Sequence, residues 1–111
     1  EYENSSKPLD YSVVVCGVGA RYKSLCSNVL RTVLINPTEY VTSSYNHLVG
    51  AFKAAVDSIR PGASLAEPLR AAKRFLAERD AQLAELLGET AGHSVGYEFF
   101  DGVTLSEKYQ H

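Results

Sequence analysis

The chain has 111 residues, 45% of them hydrophobic, and a formal net charge of −2. That length and apolar content suit one compact domain or a piece of one. No Lys/Arg stripe is present to neutralise phosphates and no apolar run approaches the roughly 20 residues that cross a bilayer, so neither direct DNA binding nor membrane association is expected.

Residues 1–10 are polar, carry Asn4, Ser5, Ser6 and Pro8, and read as a lead-in loop without a signal-peptide pattern. The absence of an initiating Met suggests a processed or excised piece. The Val-rich stretch from Tyr11 to Val18 predicts a strand, its near-continuous apolar run implying burial on both faces. Residues 19–24 predict a turn, with Gly19 free to take a positive φ. Leu25 to Ile35, with Val29, Thr32 and Val33, predicts a second strand and hence an antiparallel hairpin.

Asn36-Pro37-Thr38-Glu39 stops that strand and starts a helix. Val41, Tyr45, Leu48, Phe52, Ala55 and Ile59 recur at spacings of four and three and define one apolar face. Arg60-Pro61-Gly62 ends it. Ser64 and Glu67 have capping-box spacing for a second helix, with Pro68 tolerated in its first turn. Leu65, Leu69, Ala72, Leu76, Leu83 and Leu86 supply its stripe, which Glu78-Arg79-Asp80 interrupts, and Gly88 is a stop signal. Residues 92–100 then read as a loop entering a strand, before an Asp101-Gly102 turn. The order strand, strand, helix, helix, strand predicts an α/β or α+β fold with helices over one face of a curved sheet. No internal repeat or low-complexity run occurs.

Two cysteines, Cys16 and Cys26, make no disulfide framework. A reducing compartment is the simpler reading, and both side chains read as small core residues. His47 falls off the apolar stripe and reads as solvated, and His111 receives no role. Arg21 and Lys23 read as surface charges, and Arg31 as the partner of an acid elsewhere in the fold. Glu78, Asp80, Glu85 and Glu89 read as a solvated helix end.

The run GARYKSLCSNVLRTVLINP at 19–37 and the segment HSVGYEF at 93–99 resemble the creatinase/aminopeptidase P family, whose fold is the pita-bread fold. Within that family the first run closely resembles the peptidase-like domains of FACT histone-chaperone large subunits. The resemblance covers residues 11–101. It implies that residues 1–111 are a fragment of one peptidase-like domain, which alone would expose an apolar sheet edge or face.

Enzymes of the family hold two divalent metals through two Asp, one His and two Glu. The first Asp belongs two residues before the Gly that opens GARY, where this chain has Gly17. The second belongs after the Ser of Ser27-Asn28-Val29-Leu30-Arg31-Thr32, where it has Asn28. The ligand His corresponds to His93, followed by Ser94 in place of Gly, and the family's substrate-contacting His corresponds to Phe100. The two Glu positions would fall beyond His111.

The resemblance therefore implies a degenerate site at Gly17, Asn28, His93 and Phe100, with no catalytic residue, no bound metal and no cofactor. It implies a nuclear, chromosomal protein whose partners are core histones and other FACT subunits during transcription, replication and repair. Under that reading the acidic run from Glu78 to Glu89 is an alternative contact for basic histone segments. The alternative function is a metal-dependent aminopeptidase-like hydrolase with an altered site, resting on the fold and on His93.

Overall fold

The computed structural model describes residues 12–108. The lead-in loop at 1–10, Tyr11 and His111 lie outside the described residues. Two long strands open the fold: β1 (Val13–Tyr22) and β2 (Leu25–Leu34) pair antiparallel in unbroken register from Val13↔Leu34 to Tyr22↔Leu25.

The connection is tighter than the sequence implies. Only Lys23 and Ser24 turn the chain, with φ of 48° and 69°. Positive φ at both central residues is the type I′ pattern, whose twist matches that of the flanking strands. Gly19 is thus a strand residue and not part of a turn. β-branched residues alternate onto both faces of the ladder, so neither face is polar. Burial on both faces is not what is found: Val15 and Val18, which point to opposite faces, are 65% and 68% exposed. Among the described residues no element covers these positions.

Asn36, at φ 47°, turns the chain out of β2. Thr38 caps α1 (Glu39–Ser58), its hydroxyl accepting from the Val41 N–H at 3.3 Å, and Pro37 lies just before the cap. The helix buries its small face. Ala51 and Ala55 pack against Ala72 and Leu76 of α2 (Glu67–Arg79). At Gly50 the Phe75 ring approaches so closely that a Cβ there would lie 2.6 Å from Phe75 Cε1. The larger stripe residues Tyr45, Leu48 and Phe52 instead line an open groove of about 610 Å³ between α1 and the hairpin.

The Pro61-Gly62 turn forms as the sequence implies, with Gly62 at φ 86° and the Ala63 N–H donating to the Arg60 carbonyl. The capping box does not form. Ser64 Oγ accepts from the Ala66 N–H at 3.3 Å, one residue short of Glu67, because Ser64 sits in a turn preceding the helix. The Glu67 carboxylate pairs with Arg74 on the next turns of α2.

The interruption at Glu78-Arg79-Asp80 is a break. Asp80 closes α2, its N–H donating to the Leu76 carbonyl, and opens a short α3 (Ala81–Leu86), its carboxylate accepting from the Gln82 and Leu83 N–H groups. Phe75, Leu83, Ala84 and Leu87 complete the apolar cluster around Ala51, Ala55, Ala72 and Leu76.

A second two-stranded sheet follows, β3 (Thr90–His93) antiparallel to β4 (Thr104–Ser106), packed against α2. The strand expected within 92–100 is therefore displaced. β3 ends at His93, and residues 94–103 form a loop. The fold is mixed α and β, an antiparallel hairpin followed by helices, as the sequence implies, but with a short third helix and two separate sheets among the described residues.

Two substitutions in the full-length protein test this packing. Gly50→Ala gains about 1 kcal/mol of helix propensity but must displace a Phe75 ring that is pinned by the Arg79 guanidinium, 3.6 Å from its centroid. Overpacking of about 1–3 kcal/mol outweighs the gain, so thermal denaturation should show a net loss of stability, relieved by adding Phe75→Leu. Ser24→Gly removes the cost of a left-handed conformation at a non-glycine residue and should raise stability by about 1 kcal/mol in the same measurement.

Candidate functional site

The antiparallel register puts Gly17, Gly19, Arg21, Cys26, Asn28 and Leu30 on one face of the hairpin. Gly17 is opposite Leu30 and Gly19 opposite Asn28, so Gly17 and Asn28 are diagonal neighbours. Onto this face folds the loop 94–103. The Cys26 N–H donates to the Gly96 carbonyl at 2.7 Å, and the Cys26 thiol to the Tyr97 carbonyl at 3.4 Å. The Asn28 amide, through Nδ2, donates to the Phe99 carbonyl at 3.5 Å.

Side chains follow the backbone. The Phe99 ring rests over Gly19, where a Cβ would stand 2.9 Å from its Cε1. The Arg21 guanidinium lies 5.7 Å from the Phe99 centroid and 3.8 Å from the Glu98 carboxylate. Gly19 is thus needed for space and not for a turn, and Arg21 has partners that a purely solvated charge would lack.

The loop is held shut at its base by Ser94. Its N–H donates to the Val103 carbonyl at 2.8 Å, its carbonyl accepts from the Asp101 N–H at 3.0 Å, and its hydroxyl accepts from the Val103 N–H at 3.3 Å. His93 Nδ1 lies 3.1 Å from the same Ser94 carbonyl, and its ring meets Phe100 edge-on, centroids 5.3 Å apart. Sequence reasoning treated Ser94 only as a replaced glycine. The available signal was a hydroxyl at the start of a loop that ends in Asp101-Gly102, a residue type that bonds nearby backbone.

Three of the four positions singled out by resemblance, Asn28, His93 and Phe100, are therefore joined by one loop. Asn28 touches its backbone and His93 and Phe100 meet edge-on at its base, whereas Gly17 lies on the hairpin against Leu30, whose Cδ2 would stand 2.9 Å from a Cβ. They do not fit a pair of divalent cations. Gly17 has no donor atom, and Asn28 presents a neutral amide whose N–H is directed at Phe99 O. Among the described residues no three His, Cys, Asp or Glu side chains gather into a metal-holding group.

Other expectations change. Cys26 is buried as a core residue, but Cys16 is exposed, because it points to the uncovered face of the hairpin. His47 is half-buried, with Nδ1 buried and without a hydrogen-bond partner among the described residues. It lies on the α1 face that carries Ala51, which is the buried face. No acid pairs with Arg31 among the described residues, and its Nη1 donates to the Leu30 carbonyl at 2.9 Å.

Comparison with known proteins places this geometry. The model of Metallopeptidase family M24 matches residues 1–111. FACT complex subunit SPT16 of Arabidopsis thaliana is 36% identical over 98 residues, which is 87% of this chain and 9% of that protein. The N-terminal domain of FACT complex subunit SPT16 from chickpea (Cicer arietinum) superposes with a TM-score of 0.85 at 29% identity, over all of this chain and 28% of that one. Dipeptidase PepE from Mycobacterium ulcerans superposes with a TM-score of 0.85 at 32% identity, over 96% of this chain and 29% of that one. The chain thus spans less than a tenth of the curated relative's length and under a third of either solved chain. These neighbours share the pita-bread fold.

The Gly19–Phe99 contact is directly testable. Gly19→Ala forces the ring off the hairpin and should lower stability by about 1–3 kcal/mol in chemical denaturation of the full-length protein. Adding Phe99→Leu should recover part of that loss.

Proposed function

The chain belongs to metallopeptidase family M24, and from that premise we propose that it is part of a peptidase-like domain of a FACT large subunit, one that binds core histones and partner proteins and does not cleave peptides. In this reading the protein works in the nucleus on chromatin, during transcription, replication and repair, alongside other FACT subunits. One observation carries the non-catalytic part. The positions where the family's enzymes hold metal are occupied by Gly17 and Asn28, and the Asn28 amide is turned toward the chain's own backbone.

The physical reason is one of charge. Two divalent cations need anionic oxygens to offset their mutual repulsion, and a bridging water loses its proton only in a site that concentrates positive charge on it. A missing side chain and a neutral amide remove two of those anions. Phe100 supplies no proton to a leaving group at the position where the family has a histidine. The similarity to FACT complex subunit SPT16 supports the same reading from a separate direction.

A second reading, a hydrolase with an altered site, is favoured by the 32% identity with dipeptidase PepE and by His93 at the family's ligand position. Calorimetric titration of the full-length protein with manganese or zinc separates the two. The binding-module reading expects no stoichiometric uptake, and the hydrolase reading expects tight uptake of two ions together with peptide turnover. Core histones should be retained by the immobilised full-length protein at physiological salt, and retention should weaken on deletion of this domain. Equal retention without the domain removes histone binding from it.

A further inference from the structure

The departures from the metal-binding pattern are not mere losses, because three of the residues concerned make contacts on the same loop. Asn28 donates from Nδ2 to the Phe99 carbonyl at 3.5 Å. Ser94, where the family has glycine, holds the loop's two ends together through its N–H, carbonyl and hydroxyl. Phe100, where the family has a histidine, packs its ring edge-on against His93 at 5.3 Å.

The geometry points to a rebuilt site. Asn28, Ser94 and Phe100 act together as a clasp, in which Asn28 ties the 94–103 loop to the β1–β2 hairpin while Ser94 and Phe100 keep the base of that loop closed, and a carboxylate at position 28 opens the clasp and does not restore a metal centre. This rests on the assignment of these positions to the family's site and not on what the domain binds.

The argument turns on donor and acceptor chemistry. An amide can donate to a carbonyl, whereas an ionised carboxylate can only accept. Asn28→Asp keeps the shape of the side chain but sets an anionic oxygen against the Phe99 carbonyl oxygen. It replaces an attraction with a repulsion, where Asn28→Ala merely removes the attraction. The order of effects is therefore fixed, with aspartate more disruptive than alanine although it is the closer isostere. The backbone bond from Cys26 to Gly96 at 2.7 Å keeps the two surfaces adjacent, so the repulsion is felt and not relieved by general separation. At the other end, Ser94→Gly removes the hydroxyl that accepts from the Val103 N–H while keeping the backbone bonds, and should loosen the base of the loop more mildly.

The test is hydrogen exchange of the 94–103 amides in the full-length protein, read separately for native, Asn28→Asp, Asn28→Ala and Ser94→Gly forms, with and without manganese. Relative to native, the Asp101 and Val103 amides should exchange about tenfold faster in Asn28→Asp and about threefold faster in Asn28→Ala and Ser94→Gly. Manganese should restore protection in none of them. Equal exchange in native and Asn28→Asp overturns the clasp, as does alanine matching or exceeding aspartate. Renewed protection of Asn28→Asp by manganese, alone or with Gly17→Asp, overturns it by showing a recoverable metal site. Should Asn28→Asp fail to fold, unchanged exchange in both Asn28→Ala and Ser94→Gly overturns the proposal. Histone retention enters none of these readings, so failure of the clasp and failure of the binding-module reading are separately visible.

Discussion

The bond from the Cys26 N–H to the Gly96 carbonyl, 2.7 Å long, is the contact on which the arrangement of the site depends. The hairpin shares little packing with the helices; its uncovered valines and the open groove beside α1 show this. What fixes the hairpin to the second sheet is a short stretch of loop backbone lying along the inner positions of β2. Once Cys26 and Gly96 are joined, the Tyr97 and Phe99 carbonyls fall opposite alternate β2 residues. Cys26 and Asn28 then reach partners 71 positions away in sequence. Such distant pairings carry a large ordering cost, offset here by several contacts made at once along one loop.

This geometry separates fold from chemistry. The chain superposes equally well on an SPT16 domain and on a dipeptidase, each with a TM-score of 0.85. A shared scaffold therefore does not by itself say what the hairpin's inner face does. What the face can do is decided locally, by whether its polar groups point into open space or toward the loop. Here Asn28 points toward the loop, and Gly19 makes room for the loop's aromatic ring.

Much of this was legible in the residues, for identifiable reasons. The helices announced themselves because three-and-four spacing survives any tertiary context. The hairpin did so through its β-branched content. One misreading comes from the weight given to large apolar side chains. The stripe runs through Val41, Tyr45, Leu48, Phe52, Ala55 and Ile59, but of these only Ala55 is buried, because α1 meets α2 through Gly50, Ala51 and Ala55, where small residues allow close approach. That choice carries His47 inward. Gly19 drew the turn toward itself, whereas the turn belongs to Lys23 and Ser24, neither of which has intrinsic preference for positive φ. The aromatic pair at 99–100 read as strand because nothing local shows that Ser94 has already closed the loop around it. The four site positions came from resemblance. The meeting of Asn28, from β2, with the loop that His93 and Phe100 bracket did not, since it joins residues 71 positions apart.

Asp80 carries a different consequence. Its amide closes one helix while its carboxylate and carbonyl begin the next, so a single residue is the articulation between α2 and α3. No slack exists on either side of it. Lengthening or shortening the chain at this joint by even one residue separates the two duties, leaving one helix end without its terminator or the other without its initiator. The surface turn at Pro61-Gly62 bears no such double duty, and length variation among relatives should accumulate there while the joint at Asp80 keeps its spacing.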